Sequence, residues 1–123
     1  MTRTGSVQLN DAGVVTARIN QGAKQSLADA MENLGACIDA AGGVRRPLLV
    51  DISASQPLDA EVRHFYTGEL LVHSFSALAL LVEASPLGRT MGNIYLRVAR
   101  TGIPMKLFTD EPAAFSWLQG QRR

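Results

Sequence analysis

The sequence has one cysteine, no long apolar run and no excess of charge of either sign, and each shortage excludes a class of protein. Because Cys37 is the single cysteine among 123 residues, no internal disulfide can form, which fits a reducing compartment. The longest unbroken apolar run, residues 77–82, is far shorter than the ~18 residues that cross a bilayer. Twelve Lys and Arg against eleven Asp and Glu leave a formal charge of +1, too little to steer the protein toward nucleic acid. The sequence therefore predicts neither membrane insertion nor a nucleic-acid partner.

Several signatures of known chemistry are also missing. The chain contains no Cys-x-x-Cys pair, no G-x-S-x-G elbow, and neither of the glycine-rich phosphate loops, G-x-G-x-x-G and Walker A. Residues 1–6 carry positive charge but no apolar region follows them, so a signal peptide is not predicted. We therefore expect a cytoplasmic protein with no bound cofactor and no recognisable catalytic set.

One stretch of the chain reads as a strand buried on both faces. Pro47–Ser53 is a Leu/Val run that ends at Asp51 and opens into a polar loop, a pattern typical of parallel sheets. Functional groups of open α/β sheets lie at the carboxyl ends of the strands, where Asp51 falls. Asp51 is therefore the best-placed candidate for function, although a short acidic side chain there also commonly holds its own loop in shape.

The remaining pattern alternates between strands and helices. Two β-branched segments flank the turn at residues 10–13, Ser26 is a candidate cap for a helix that ends at Gly42, and Asp110 is a candidate cap for the last helix. The predicted order is β-β-α-β-α-β-α-β-α over one domain, residues 1–123. We expect an α/β fold, a mostly parallel sheet with an N-terminal antiparallel hairpin strand and helices on its faces.

Two of the predicted helices have apolar positions at three- and four-residue steps. The stripe of the first helix consists of Leu27, Ala30, Met31, Leu34, Ile38 and Ala41, with Asn33 outside it and Cys37 beside it as a packed residue. The second helix, beginning at Asp59, carries Val62, Phe65, Tyr66 and Leu70, and Gly68 predicts a break or bend in it.

This organisation resembles the SpoIIAA-like, or STAS, fold of anti-sigma factor antagonists and sulfate-transporter tails. The closer resemblance is to small bacterial STAS-like proteins of unassigned function. It is carried by Pro47–Asp51, Ala79–Val82 with Ser85-Pro86, Gly92-Asn93, and Leu107–Glu111 with Ala114 and Trp117-Leu118. The resemblance implies the fold and a family, and it implies no particular chemistry.

Regulatory STAS proteins carry a phosphorylatable serine in an Asp-Ser-x-Gly signature after the central strand. In this chain Ser53 and Ser55 lie in the corresponding loop, but the signature itself is absent. The interaction candidates that the resemblance suggests are Asp51, Ser53, Ser55 and Asp59.

Two further constellations are candidates for binding. Ser85 and Arg89 stand at a predicted helix start after a strand, where free amide groups favour an anion. Glu69 and His73 share one helical face, but His64 lies nine residues from His73 and points away, so no metal site is predicted.

These observations leave three hypotheses for function. The first is a non-enzymatic interaction or regulatory module that binds a protein partner or its own copy as a homodimer. The second is a small apolar-ligand carrier or sensor, because STAS-like folds resemble lipid-binding Sec14 domains; its pocket would be lined by Phe65, Tyr66, Phe75 and Leu80, residues that core packing also explains. The third is an enzyme that uses Asp51, His64 and Arg89.

Overall fold

A computed structural model describes residues 2–56, 59–66, 68–85 and 103–121. Within these ranges lie five strands, β1 Gly5–Leu9, β2 Val15–Ile19, β3 Arg46–Asp51, β4 Phe75–Leu81 and β5 Met105–Phe108. They also contain four helices, α1 Leu27–Ala41, α2 Ala60–Tyr66, α3 Glu69–Ser74 and α4 Glu111–Gly120. The helix predicted after β4, which includes Arg89, falls outside the described residues.

The strands form one sheet in the order β1-β2-β3-β4-β5, with β3 in the middle. β1 pairs antiparallel with β2, and the other neighbours pair in parallel. The predicted fold class is therefore confirmed, including the N-terminal antiparallel hairpin strand. Because β2 to β5 are parallel, their carboxyl ends all lie on the same side of the sheet, at the ends of the strands. Asp51 is the last residue of the central strand.

The sheet is covered on both faces, which explains why β3 is almost continuously apolar. Successive side chains of a strand point to opposite faces. Leu48 and Val50 pack against α1, α2 and α3, whereas Leu49 packs against α4. Leu48 and Leu49 are 1% and 0% exposed, so neither face of the central strand meets solvent.

Helix α1 begins and ends at the residues that the sequence indicates. The Ser26 side chain accepts from the Asp29 backbone N–H, and the Asp29 carboxylate accepts from the Ser26 backbone, which completes a capping box. Gly42 ends the helix with φ of 67°, a left-handed conformation that glycine adopts without a steric penalty.

Two positions of α1 differ from the predicted stripe. Met31, expected to be buried, is 56% exposed, and Asn33, expected to face outward, is 2% exposed. The reason lies in the segment before β1, because Thr2 and Thr4 both hydrogen-bond the Asn33 side chain. That segment covers Asn33, so the buried face of the helix includes Asn33, and Met31 lies outside that face.

The second predicted helix is two helices. Gly68 stands at the start of α3 with extended backbone angles, and α2 has already ended at Tyr66. The break changes the helical phase, so Leu70, predicted to share a face with Val62 and Tyr66, is 51% exposed. Leu71 takes its place in the core at 0% exposure.

Candidate functional site

The carboxyl ends of β2 and β3 bring together a cation and a carboxylate. Arg18 of β2 is paired in register with Asp51 of β3, and both point to the α4 face because Ala17 and Val50 occupy the opposite face. The Arg18 Nη1 atom donates to Asp51 Oδ2 at 2.8 Å. The strand register therefore sets this ion pair.

Helix α4 adds a second carboxylate to the same arginine. Glu111 lies in the first turn of α4, and its Oε1 atom accepts from Arg18 Nη2. The Asp110 side chain caps the helix by accepting from the Ala113 N–H at 3.3 Å, which fixes the turn that carries Glu111. Arg18 thus joins two strands of the sheet to the start of a helix packed on it.

The second oxygen of Asp51 holds the following loop. Asp51 Oδ1 accepts from the Ser53 N–H at 3.0 Å and from the Ser53 hydroxyl at 2.6 Å. This is an Asx-type turn, in which a short acidic side chain satisfies the backbone two residues later. Asp51 is 15% exposed at its side chain, and the contacts with Arg18 and Ser53 occupy both of its oxygens.

The other loop candidates take separate structural positions. The single proton of the Ser55 hydroxyl is shared between the backbone carbonyl oxygens of Ile52 and Gln56, each 3.1 Å from Oγ. Asp59 accepts from Lys24 at 2.8 Å in an exposed pair, and its backbone carbonyl accepts from the Arg63 N–H at the start of α2. Asp51 and Ser53 are therefore brought together, whereas Ser55 and Asp59 lie further along the same loop.

The loop after β3 is also tied to the loop before α1. Gly22 N donates to Ala54 O at 2.7 Å, and Gln56 N donates to Ala23 O at 2.9 Å. These bonds join two strand-end loops into one ordered surface.

An open cleft of about 480 Å³ lies at the carboxyl ends of the parallel strands. We call it the strand-end cleft; its polar lining consists of Arg18, Asp51, Ser53, Glu83, Thr109 and Glu111. The lining residues come from the carboxyl ends of strands β2, β3 and β4, from the residues that follow β3, β4 and β5, and from the first turn of α4. Its three carboxylates against one guanidinium give the described lining an acidic excess.

The anion-binding hypothesis gains little from the structure, and the histidines lie apart from the cleft. Ser85 follows β4, but Arg89, its predicted companion, lies outside the described residues. His64 and Glu69 are on different helices, α2 and α3, and both are exposed. Among the described residues no three His, Cys, Asp or Glu side chains gather closely enough to hold a metal ion.

The residues proposed for an apolar-ligand pocket are part of the hydrophobic core. Phe75 and Leu80 are 0% exposed, and Phe65 packs against the same cluster between the sheet and α1–α3. None of them lines the strand-end cleft.

Sequence reasoning missed a buried polar cluster beside this core. Gln25 Oε1 accepts from Asn33 Nδ2 at 2.9 Å and from the Tyr66 hydroxyl at 2.6 Å. Burial raises the pKa of Tyr66 above its ordinary value. No signal for this cluster was available in the sequence, because a glutamine in a loop directly before a helix cap is ordinarily exposed, whereas Gln25 is 2% exposed.

Cys37 lies in the core, as its position beside the helical stripe predicts. It is 2% exposed, and burial raises the pKa of its thiol to about 12. The thiol is therefore protonated at neutral pH and packs as a small apolar side chain.

A comparison with solved structures identifies the fold of the protein. An uncharacterised protein of the DUF3478 family from Shewanella loihica PV-4, which has a SpoIIAA-like fold, superposes with a TM-score of 0.61 over 93% of this chain and 91% of that chain. The two sequences are 14% identical, so the likeness shows the fold alone, and that fold is SpoIIAA-like.

Residues 8–122 match the family described as a domain of unknown function (DUF7793), and the chain belongs to that family. No protein in a search of curated proteins matches it. Among the described residues no helix is long and apolar enough to cross a membrane.

Proposed function

We propose that this protein is a non-enzymatic interaction module that presents the strand-end cleft, together with Ser53, Ser55 and Asp59 after β3, to a protein partner. The observation that carries the proposal is the double ion pair of Arg18 with Asp51 and Glu111. It fixes a pattern of charge on three elements, and fixed charge patterns give an interface its specificity and register.

The arrangement of Asp51 supports recognition more than catalysis. A general base needs an oxygen that is free to take a proton from a substrate. Each oxygen of Asp51 already accepts a hydrogen bond, Oδ2 from Arg18 and Oδ1 from Ser53, and these bonds tie the carboxylate to the fold. Ser53 in turn uses its hydroxyl proton to hold Asp51.

Affinity capture from the native host tests the proposal. The wild-type chain is compared with Arg18→Ala, which removes both ion pairs, and with Arg45→Ala. Arg45 is an exposed arginine just before β3, at the opposite end of that strand, so its variant is a matched control. We expect a protein that is recovered with the wild type and the control and depleted with Arg18→Ala.

Two results would overturn the proposal. One is the recovery of no specific protein with the wild-type chain, and the other is equal recovery with both variants. Circular dichroism of each variant shows whether a loss of binding reflects the surface or the fold.

A small-ligand role is the second candidate, and the observation that favours it is the volume of the strand-end cleft. About 480 Å³ lies within the range of ligand pockets, roughly 300–1,000 Å³. The charged lining favours a polar ligand over the lipid-like one that Sec14 domains suggest. Native mass spectrometry of protein purified from its host tests this, since a retained adduct lost in Arg18→Ala supports it and a bare mass contradicts it.

A further inference from the structure

The β1 strand forms one edge of the sheet, and its hydrogen bonds show which backbone groups face outward. Asn20 N donates to Thr4 O at 2.7 Å and Asn10 N donates to Val14 O at 3.0 Å, at the two ends of the β1–β2 ladder. Bonded pairs alternate in an antiparallel ladder. The even-numbered residues of β1 therefore bond to β2, and the backbone groups of Gly5, Val7 and Leu9 point away from the sheet.

Gly5 is already satisfied by the segment that precedes it. Thr2 N donates to Gly5 O at 3.0 Å, and Gly5 N donates to the Thr2 hydroxyl at 3.1 Å. The segment is anchored on α1, because Arg3 Nε donates to Asp29 Oδ1 at 2.6 Å. As far as the described residues show, the open part of the edge therefore consists of the N–H and C=O groups of Val7 and Leu9.

The two edges of the described sheet differ in how they are protected against pairing. Natural edge strands are commonly guarded by lysine, proline or a bulge. β5 has an exposed Lys106, and Pro104 directly precedes the strand. β1 has none of these, its register with β2 is regular, and its Leu9 side chain is 42% exposed.

We propose that β1 is a strand-pairing surface for a second copy of this chain. In antiparallel pairing about a two-fold axis at Gln8, Val7 of each copy bonds to Leu9 of the other. This register uses all four open backbone groups of each copy, and it is isologous because each contact is repeated reciprocally in the other copy.

The absence of charge along β1 supports a second copy as the occupant, and the small contact sets the expected strength of the pairing. Residues 5–10 carry no charged side chain, so two copies meet along β1 without like-charge repulsion. A contact of three residues from each copy buries far less than the ~1,200 Å² of a standard stable interface, so we expect a weak dimer that forms only at high protein concentration. This surface is separate from the strand-end cleft.

Amide hydrogen exchange tests the proposal on the intact chain, at about 10 μM and about 1 mM protein. We expect the exchange of the Val7 and Leu9 amides to slow several-fold at the higher concentration. The Ser6 and Gln8 amides bond within the hairpin, so their exchange is the internal control. Unchanged exchange at Val7 and Leu9 would overturn the proposal.

A pair of substitutions at Leu9 tests the same contact by sedimentation equilibrium. Leu9→Pro removes the outward N–H without removing a bond to β2, a position where edge strands tolerate proline. Leu9→Thr keeps the N–H and is the control for the loss of the leucine side chain. We expect Leu9→Pro to weaken dimerisation at least tenfold and Leu9→Thr to weaken it less.

Further outcomes of these experiments distinguish a failure of the β1 contact from a failure of the proposed role of the strand-end cleft. A strictly monomeric wild type at 1 mM, or a dimer unaffected by Leu9→Pro in a variant with an unchanged circular dichroism spectrum, overturns the β1 contact. Arg18→Ala should leave dimerisation unchanged, because Arg18 acts at the strand-end cleft. A dimer lost in Arg18→Ala and retained in Leu9→Pro would place self-association at the cleft and contradict this inference.

Discussion

Asp51 shows how one side chain of this protein joins distant parts of the chain. One oxygen contacts Arg18, 33 residues away, and the other contacts Ser53, two residues away. Arg18 also contacts Glu111. Asp51 is therefore linked, through Arg18 of β2, to the first turn of α4. Its structural role is to hold the strand-end loop and to orient the arginine.

Replacing Asp51 should distinguish these two tasks. Asp51→Ala loses the turn and the ion pair, and we expect a loss of roughly 0.5–2 kcal/mol in the free energy of unfolding, the range for deleted capping side chains. Asp51→Asn keeps the oxygen that accepts from the Ser53 N–H, so its cost should stay below about 1 kcal/mol, the value of a partly exposed ion pair. Urea unfolding of both variants measures the difference. Equal costs would show that the turn contributes nothing.

Asp29 predicts how stability depends on pH. The hydrogen bond from Arg3, followed by that from the Ser26 backbone, holds the pKa of Asp29 well below its ordinary value of 3.8. A lowered folded pKa means that this group stabilises the fold above pH ~4 and loses its contribution as pH falls further. The free energy of unfolding of the wild type should therefore exceed that of Asp29→Asn at pH 6, with the gap narrowing below pH 4. A gap that stays constant from pH 6 to pH 3 would contradict the assignment.

Local residue roles were predictable, and long-range partners were not. Asp51 at a strand end, Ser26 as a cap and Cys37 as a packed residue each follow from neighbours within a few positions. The partners of Arg18 lie 33 and 93 residues away, and only the strand register brings Asp51 to it. The one available signal was a charged residue inside the otherwise β-branched and apolar β2.

At the scale of elements, the residues at the two ends of helix α1 set where it begins and where it stops. Its capping box and the left-handed Gly42 were both readable from the sequence, because caps depend on one or two residues. The exposure of Met31 and the burial of Asn33 were not, because the residues before β1 fold back onto the helix.

Gly35, inside α1, and Gly42, directly after it, should respond to alanine in opposite directions. Gly42 has a φ of 67° and open space around it, so Gly42→Ala meets only backbone strain and should cost about 1 kcal/mol. Gly35 lies within the helix, and an added Cβ there also meets nothing within 4 Å, so Gly35→Ala should stabilise by about 0.5–1 kcal/mol. Thermal melts of the two variants measure both signs. Destabilisation by Gly35→Ala would show that α1 is more crowded at that position.

At the scale of the molecule, the described part of the chain is a sheet with α1–α3 on one face and α4 on the other, and the central strand tests that architecture. Leu48 and Leu49 are neighbours in sequence but face α1–α3 and α4, respectively. Each substitution to alanine should cost about 2–5 kcal/mol, because both remove a fully buried leucine. A cost below 1 kcal/mol for Leu49→Ala in chemical denaturation would mean that the α4 face of the sheet is open to solvent.

The strand and helix order was predictable because hydrophobic alternation is a local signal. The break at Gly68 was foreseen, but its consequence for Leu70 required the geometry of two separate helices. The position of Asp51 at a strand end was predictable, whereas the cleft beside it was not, since Glu83, Thr109 and Glu111 reach it only through the sheet order.

Site-specific photocrosslinking tests the central claim, that the strand-end cleft is a recognition surface, most directly. A photoreactive amino acid replaces Glu83, an exposed residue of the cleft, or Val44, an exposed residue before β3 at the opposite end of that strand. Expressed in the native host and irradiated, the chain should crosslink to one defined protein from position 83 and not from position 44. Equal crosslinking from both positions, or none from position 83, would contradict the account.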